Sequence, residues 1–471
     1  MSETIKTDIC VIGGGSGGLS VAAGAVQMGA DVVLVEGGAM GGDCLNYGCV
    51  PSKALLAAAK HAHAMTTGKA FGITPVAPKV DFAAVQAHVA GVIAGIAPHD
   101  SVARFEGLGV RVIEAYGRFL SPRELQAGDT VIRARRFVIA TGSSPLVPPI
   151  PGLDKVPYLT NETIFANIDL PDHLIIIGGG PIGLEMAQAH RRLGAKVTVL
   201  EGMKALGKDD PELATIALDR IRAEGVTIIE GATVTEVRGK SGAISVTTGD
   251  GNIHEGSHLL VAVGRRANTE TLDLVKAGVE TGRTGITVDA GLKTTNRRIY
   301  AIGDVAGGLQ FTHMAGYQAG VVIRSALFGL PSRATNAHIP WATYTDPELA
   351  HAGLSEADAR AQYGSRLEVV RFAFADNDRA RAERATDGLI KVMVVKGRPV
   401  GVSIVGAQAG ELIGLWSLAI ANRLKMGAIA AMVTPYPTLA EINKRAAGAY
   451  FSPRLFDNPM VKRIVRLVQR F

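Results

Sequence analysis

One short pattern occurs twice in this chain and constrains everything around it. Near the N-terminus an apolar run from Asp8 to Ile12 leads into Gly13-Gly14-Gly15-Ser16-Gly17-Gly18. A stretch of small, helix-compatible residues follows to Met28, and then Asp31 to Glu36 reads as a second strand. The pattern returns at Leu174–Gly178, with Gly178, Gly180 and Gly183 in the fingerprint positions and Lys196 to Glu201 as the closing strand. In both copies the closing glutamate lies 23 residues after the first glycine. The first glycine (Gly13, Gly178) permits a tight turn. The second (Gly15, Gly180) lets backbone approach a pyrophosphate, and the third (Gly18, Gly183) lets helix and strand pack closely. The helix that follows points unpaired N–H groups at the phosphates. Glu36 and Glu201 are then placed to accept from a ribose hydroxyl. A single turn of this kind is weak evidence. Two, at equal spacing and each between strand and helix, predict two dinucleotide-binding units.

Two such units imply two dinucleotides, and a flavoprotein that exchanges a hydride with a nicotinamide is the natural owner. Glu201 at the second strand end repels a 2′-phosphate, and only Lys204 and Lys208 lie nearby, so NADH is favoured over NADPH. At 471 residues the chain is long enough for about three domains. With 47% hydrophobic and 20% charged residues it is not a disordered chain. The formal net charge of +6 is mild and is no nucleic-acid footprint. Four of those charges, Lys462, Arg463, Arg466 and Arg470, fall in the last twelve residues, which hold no acid. Apolar residues at 461, 464, 465 and 468 make that stretch an amphipathic basic helix. It fits weak contact with an anionic membrane surface, or docking on the body of a dimer. The start of the chain goes straight into a strand with no signal-peptide pattern, and no run of 18 apolar residues is evident, so a cytoplasmic location is expected.

The chain has three cysteines. Cys10 lies in the first apolar run and reads as core. Cys44 and Cys49 stand in the segment GGDCLNYGCVPSK, residues 41–53. Pro51 suits the first turn of a helix, which places Cys49 just before a helix N-terminus. There the dipole favours a thiolate. A low-pKa thiol with a partner cysteine, beside a flavin-type unit, reads as a redox-active disulfide. The alternative is two inert buried cysteines.

These segments together resemble the class I pyridine nucleotide–disulfide oxidoreductases, the family of dihydrolipoamide dehydrogenase, glutathione reductase and mercuric reductase. The resemblance rests on GGGSGG, GGDCLNYGCVPSK, the ATG at 140–142, GGGPIGLE, TNRRIYAIGD at 295–304 and YTDPELAHAGLSEADA at 344–359, and it spans nearly the whole chain. It implies an α/β fold of two Rossmann-like dinucleotide-binding domains plus a C-terminal α+β dimerisation domain. The implied boundaries are 1–150 and 270–335 for the FAD-binding domain, 151–269 for the NAD(P)-binding domain and 336–471 for the interface domain of a homodimer. It implies FAD on Gly13, Gly15, Gly18, Glu36, Gly42, Lys53, Thr141, Gly142 and Asp304, and NAD(P)H on Gly178, Gly180, Gly183, Glu201 and Gly264. It makes Cys49 the flavin-side sulfur and Cys44 the outer sulfur that exchanges with substrate. Lys53 is expected near the flavin, paired with Glu185. No resident metal is implied.

The C-terminal motif departs from the best-known members. Disulfide reductases of this family carry HPTxxE, whereas residues 436–441 here read YPTLAE. Glu441 remains, but Tyr436 replaces the histidine. Histidine serves as base and acid near neutral pH; a phenol of pKa near 10 donates a proton and is a poor base. Mercuric reductase also carries tyrosine there, yet its C-terminal cysteine pair is absent from RLVQRF. Thr438 to Glu441 also fits a capping box for the next helix. The resulting expectation is an enzyme passing electrons from NAD(P)H through FAD and Cys44–Cys49 to a small disulfide, thiol reagent or soft electrophile. The alternatives are a dihydrolipoamide dehydrogenase working toward NAD, which would need another base in place of Tyr436, and a flavin-binding scaffold without catalysis, which would not need the cysteine pair.

Overall fold

The computed structural model of the chain describes residues 3–470, so Phe471 of the basic terminal stretch lies outside the described residues. The chain divides into two compact units. The first comprises 1–178, 189–200 and 232–335; the second comprises 179–188, 201–231 and 336–471.

In the first unit the strand β1 (Glu3–Ile12) is central. It pairs in parallel with β2 (Val32–Glu36) on one side and with Thr130–Ile139 on the other. Arg111–Glu114 extends the sheet beyond β2, and Ile299–Ala301 lies parallel to the end of Thr130–Ile139. An antiparallel meander, Gly117–Ser121 and Glu124–Ala127, completes seven strands. Ile9, Cys10, Val11 and Ile12 are buried on both faces, as expected of a parallel strand covered on both sides. This explains why that segment reads as one unbroken apolar run. The helix α1 (Ser16–Gln27) covers one face together with the helix Thr312–Phe328. The second fingerprint strand, His173–Ile177, is likewise parallel to Lys196–Glu201 and to His258–Val261.

The two turns repeat each other atom for atom. Gly13 and Gly178 both sit at positive φ, +109° and +113°. A Cβ on either would lie 2.4 Å from a carbonyl oxygen, of Ala140 and Ala262 respectively. Only glycine tolerates both the dihedral and the approach. Gly13 donates to the Val35 carbonyl at 2.8 Å and Gly178 to the Leu200 carbonyl at 2.9 Å.

One stretch, Phe82–Gly107, is long and apolar enough by length and composition to cross a membrane, which corrects the expectation that none was. It comprises the helices Phe82–Ile96 and Val102–Gly107 around a turn holding Pro98, His99 and Asp100. The physical source of the discrepancy is alanine, valine and isoleucine content, which raises mean hydropathy although Gln86 and His88 break any unbroken apolar run.

The second unit is built on a five-stranded antiparallel sheet in the order Pro340–Thr343, Glu348–Gly353, Arg398–Gly406, Leu389–Val395, Leu367–Ala373. Helices Ala409–Ala421 and Glu441–Phe456 contribute Trp416, Ile442 and Ala446 to its core. The indole N–H of Trp416 donates to Asn443 Oδ1 at 2.7 Å, which satisfies the one polar atom that ring buries.

Lys391 is the exception in a strand whose neighbours are all apolar. Its side chain is 4% exposed, and its Nζ meets Asp210 at 2.7 Å, Glu212 at 2.9 Å and Glu356 at 2.7 Å. Asp210 is equally buried, at 3%. Removing one member of such a cluster strands the others in low dielectric. Lys391→Met is expected to lower stability by about 3–5 kcal/mol, read as a fall in the urea midpoint.

Candidate active site

The reactive loop begins where the first fingerprint turn ends. Gly41 donates to the Gly14 carbonyl at 2.9 Å, and a Cβ on Gly42 would stand 2.7 Å from the Cα of Gly15. Two glycine backbones therefore pass each other where the dinucleotide turn meets the cysteine loop. Helix α2 (Gly42–Asn46) carries Cys44, and α3 (Cys49–Thr66) starts at Cys49 itself. The sequence reading placed Cys49 just outside the helix; the structure makes it the first residue, with Gly48 as N-cap. Pro51 still falls in the first turn, where its missing N–H removes no helical bond. The effect on Cys49 is stronger than expected, because it lies within the turn where unpaired N–H groups concentrate positive potential.

Both sulfurs are free thiols in this structure. Cys49 is lowered to about 6, first by the hydrogen bond from Cys44, then by the Thr312 hydroxyl and the charge of Lys53; burial and Asp43 oppose the shift. The Thr312 oxygen lies 3.6 Å from the Cys49 sulfur. Cys44 is pushed far up, because its proton serves Cys49 and because it is partly buried. The two shifts oppose each other, favouring the anion on Cys49 and the proton on Cys44. Cys10 is fully buried, and burial raises it, as suits a core thiol.

Arg265 anchors this loop. Its Nη2 meets Asp43 at 2.9 Å and the Ser143 carbonyl at 2.7 Å, while Nε donates to Ser143 Oγ at 2.7 Å. Ser143 Oγ in turn donates to Asp304 at 2.6 Å, and Asp304 lies 3.8 Å from Arg265 Nε. Burial raises Asp304 above the ordinary carboxylate range, while Ser143 and Arg265 pull it back. Asn161 adds a second tie to Asp43, at 3.0 Å. Thr141, Gly142 and Gly264 flank the same place, because Ser143–Pro145 and Arg265–Ala267 pair antiparallel. Sequence reasoning missed Arg265, Asn161 and Thr312. The only available signal for Arg265 was that it directly follows Gly264; Thr312 opens the helix Thr312–Phe328.

The two fingerprint carboxylates are held alike. Glu36 accepts from the N–H of Gly14 and, at 2.6 Å, from that of Gly38. Glu201 accepts from Gly179 at 2.7 Å and Met203 at 2.8 Å. Lys53 donates to Ser52 Oγ at 3.3 Å. Glu185 is buried in the helix Pro181–Leu193 and accepts from the backbone of Tyr344 at 2.9 Å.

Tyr436 and Glu441 belong to the second unit. Tyr436 is exposed, and its hydroxyl donates to Asp378 at 3.0 Å. That hydrogen bond and the charge of Asp378 raise the phenol above its usual range, with a smaller push from Glu441. The expected capping box is not made. The helix starts at Glu441 with Ala440 as N-cap, and Thr438 Oγ1 donates instead to the Pro435 carbonyl at 2.8 Å. Proline leaves that carbonyl within reach of the hydroxyl, and the local bond wins.

The first fingerprint turn fits a flavin dinucleotide. No side chain caps α1, so its first-turn N–H groups are open to phosphate oxygens. A Cβ on Gly15 would meet only the Cα of Gly42, at an ordinary 3.8 Å, whereas Gly18 packs so closely that a Cβ there would meet the Gly13 oxygen at 1.9 Å. In the second turn a Cβ on Gly180 would meet nothing within 4 Å, which leaves open space above the backbone where a pyrophosphate would approach.

Residues 7–319 match the pyridine nucleotide-disulphide oxidoreductase family, and residues 339–447 match the dimerisation domain of the same family. The chain is 34% identical over 457 residues to a mercuric reductase of Streptomyces lividans, covering 94% of this chain and 96% of that one. It is 33% identical over 455 residues to a dihydrolipoyl dehydrogenase of Geobacillus stearothermophilus, with the same coverage, 94% and 96%. Among solved structures it is similar to the Cu(II) complex of the HOCl-induced flavoprotein disulfide reductase RclA from Escherichia coli, with TM-score 0.85 and 27% identity over 94% of this chain and 99% of that one. It is also similar to LpdA from Mycobacterium tuberculosis, with TM-score 0.86 and 27% identity at 94% and 99% coverage.

A lowered thiol pKa favours the anion, so the thiolate is present above about 6 and lost as pH falls through that value. Alkylation of the reduced protein by iodoacetamide is expected to follow that midpoint. Thr312→Val should move it up toward the ordinary thiol value of about 8.5. Arg265→Lys keeps the charge but loses the fork. It is expected to cost about 1–3 kcal/mol and to lower the flavin-to-protein absorbance ratio of the purified protein.

Proposed function

Because the chain belongs to the pyridine nucleotide-disulphide oxidoreductase family, and so is an FAD-dependent NAD(P)H:disulfide oxidoreductase, we propose that its acceptor is a soft electrophile or small oxidised thiol, as in mercuric reductase. NADH is the favoured donor, and the homodimer of this family is the working form. In this reading residues 151–269 hold the nicotinamide dinucleotide, and 1–150 with 270–335 hold FAD. Bound FAD supplies a two-electron carrier between NAD(P)H and the cysteine pair. Lys53, Glu185, Asp304 and the glycines of the two turns position the cofactors. The cellular setting is the cytoplasm, with contact to a membrane surface through the basic terminal helix.

The observation that carries the reading is the partner each acid has. Cys49 opens a helix with the Thr312 hydroxyl 3.6 Å from its sulfur and is shifted toward the anion, Cys44 beside it is shifted toward the thiol, and the Tyr436 hydroxyl donates to Asp378 at 3.0 Å. Oxidising a dithiol substrate requires a base to take its protons. Tyr436 cannot supply that at neutral pH. A mercuric or cupric ion needs no such help, because a soft metal displaces the thiol proton as it binds. When Cys44 and Cys49 close their S–S bond, two electrons go to the acceptor and the Cys44 proton is released. Tyr436, from the dimer partner, donates to a leaving group or steadies the bound acceptor. Glu441 stands close enough to hold the phenol protonated by its charge.

NADH-dependent reduction of mercuric ion, cupric ion and an aromatic disulfide is expected from the wild-type enzyme. Cys44→Ser should remove at least about a thousandfold of it. Tyr436→His should raise NAD-dependent oxidation of dihydrolipoamide by about a hundredfold or more. Wild-type turnover of dihydrolipoamide faster than that of every soft acceptor would sink the reading.

A further inference from the structure

The helix Pro459–Val468 stands apart from everything else in the chain. Asn458 caps it by accepting from the Met460 N–H at 2.9 Å, and Pro459 occupies its first position. It is therefore a defined helix. Yet none of its residues is buried. Met460, Ile464, Val465, Leu467 and Val468 are each more than half exposed, from 52% to 68%. Phe456, just before it, adds another ring at 68% exposure. Isolated apolar residues on a surface need no explanation. Five on one ten-residue helix do.

The charges are as ordered as the apolar side chains. At about 100° per residue, Lys462, Arg466 and Arg463 fall in one arc of roughly 100°, and Arg470 follows just beyond the helix end. Leu467, Met460, Ile464, Val468, Val461 and Val465 fill the adjoining arc of roughly 160°. No charged residue interrupts the apolar arc and no apolar residue interrupts the basic one. Among the described residues none of the four cations has a carboxylate within ion-pair distance. Among the described residues, the helix thus combines an exposed apolar face with cations that no carboxylate pairs.

We infer that this helix lies in the headgroup layer of an anionic lipid bilayer, its apolar arc toward the acyl chains and its four cations toward lipid phosphates. The charge pattern selects this occupant over a second copy of the chain. The cores of protein interfaces are depleted of lysine and of charge generally. A partner copy would have to bring an acidic groove to match four cations along the apolar stripe. An anionic bilayer supplies both an apolar layer and fixed negative charge along the whole helix. This surface is independent of the acceptor: membrane binding and the chemistry of Cys44–Cys49 fail or stand separately.

The test uses the full-length holoenzyme with vesicles of pure phosphatidylcholine and of equal parts phosphatidylcholine and phosphatidylglycerol, reading flavin absorbance in the pellet. Binding is expected to the anionic vesicles alone and to fall steeply with salt. Replacing Lys462, Arg463, Arg466 and Arg470 by glutamine should weaken it on the order of a hundredfold. Ile464→Asp with Leu467→Asp should abolish it. Both variants should keep NADH turnover and dimeric mass. Equal binding to the two vesicle types, or binding to neither, overturns the inference. So does a loss of dimeric mass in Ile464→Asp with Leu467→Asp, because the apolar face would then be seated on the second copy.

Discussion

Arg265 holds the reactive loop to the unit that carries it. Asp43, at the start of that loop, and Asp304, at the flavin end of the sheet, repel one another, and the charge of Asp43 helps to raise Asp304. One largely buried guanidinium between them turns that repulsion into a bridge, with Ser143 filling the remaining lone pairs. A fork of planar donors can satisfy three acceptors at fixed angles, which a lysine cannot. The position of Cys44 follows from this bridge, because Asp43 is its neighbour. The position of Cys49 follows in turn, because α3 starts only three residues on from the end of the short helix that carries Cys44.

Given that placement, electrostatics divides the labour between the two sulfurs. Helix N-terminus, Lys53 and Thr312 all favour a negative Cys49, and Cys44 responds by keeping its proton. At the other end of the chain, Asp378 does to Tyr436 what Cys49 does to Cys44: an anion beside an acid keeps the acid protonated. Cys44 and Tyr436 are thus both biased toward their protonated forms. Under the proposed function this bias favours an electrophilic acceptor over a dithiol that must be deprotonated. It arises from Asp378, a residue to which no motif draws attention.

Much of the architecture was legible because its signals are local. Gly13 and Gly178 announce themselves because a positive φ beside a carbonyl excludes every other residue, and the identical surroundings of the two turns justify reading them as one unit used twice. The amphipathic terminal helix was legible for the same reason: its pattern is contained within three turns. Two local readings were displaced. Thr438 and Glu441 have the spacing of a capping box, but Thr438 bonds to Pro435. Cys49 was read as preceding a helix and instead begins it. For Thr438 the competing bond lies within a few residues, and spacing alone does not rank two partners of similar strength.

By itself, then, the sequence determined the two dinucleotide turns, the cysteine pair, the family and the replacement of a histidine by Tyr436. Each depends on residue type at a fixed short spacing. The tertiary structure decided which groups tune that chemistry. Arg265 reaches Asp43 across more than two hundred residues, Thr312 reaches Cys49 from further still, and Asp378 reaches Tyr436 between distinct elements of the second unit. Hydrogen bonds and charge act over a few ångströms of space, whatever the distance along the chain, so no spacing rule could have named these three.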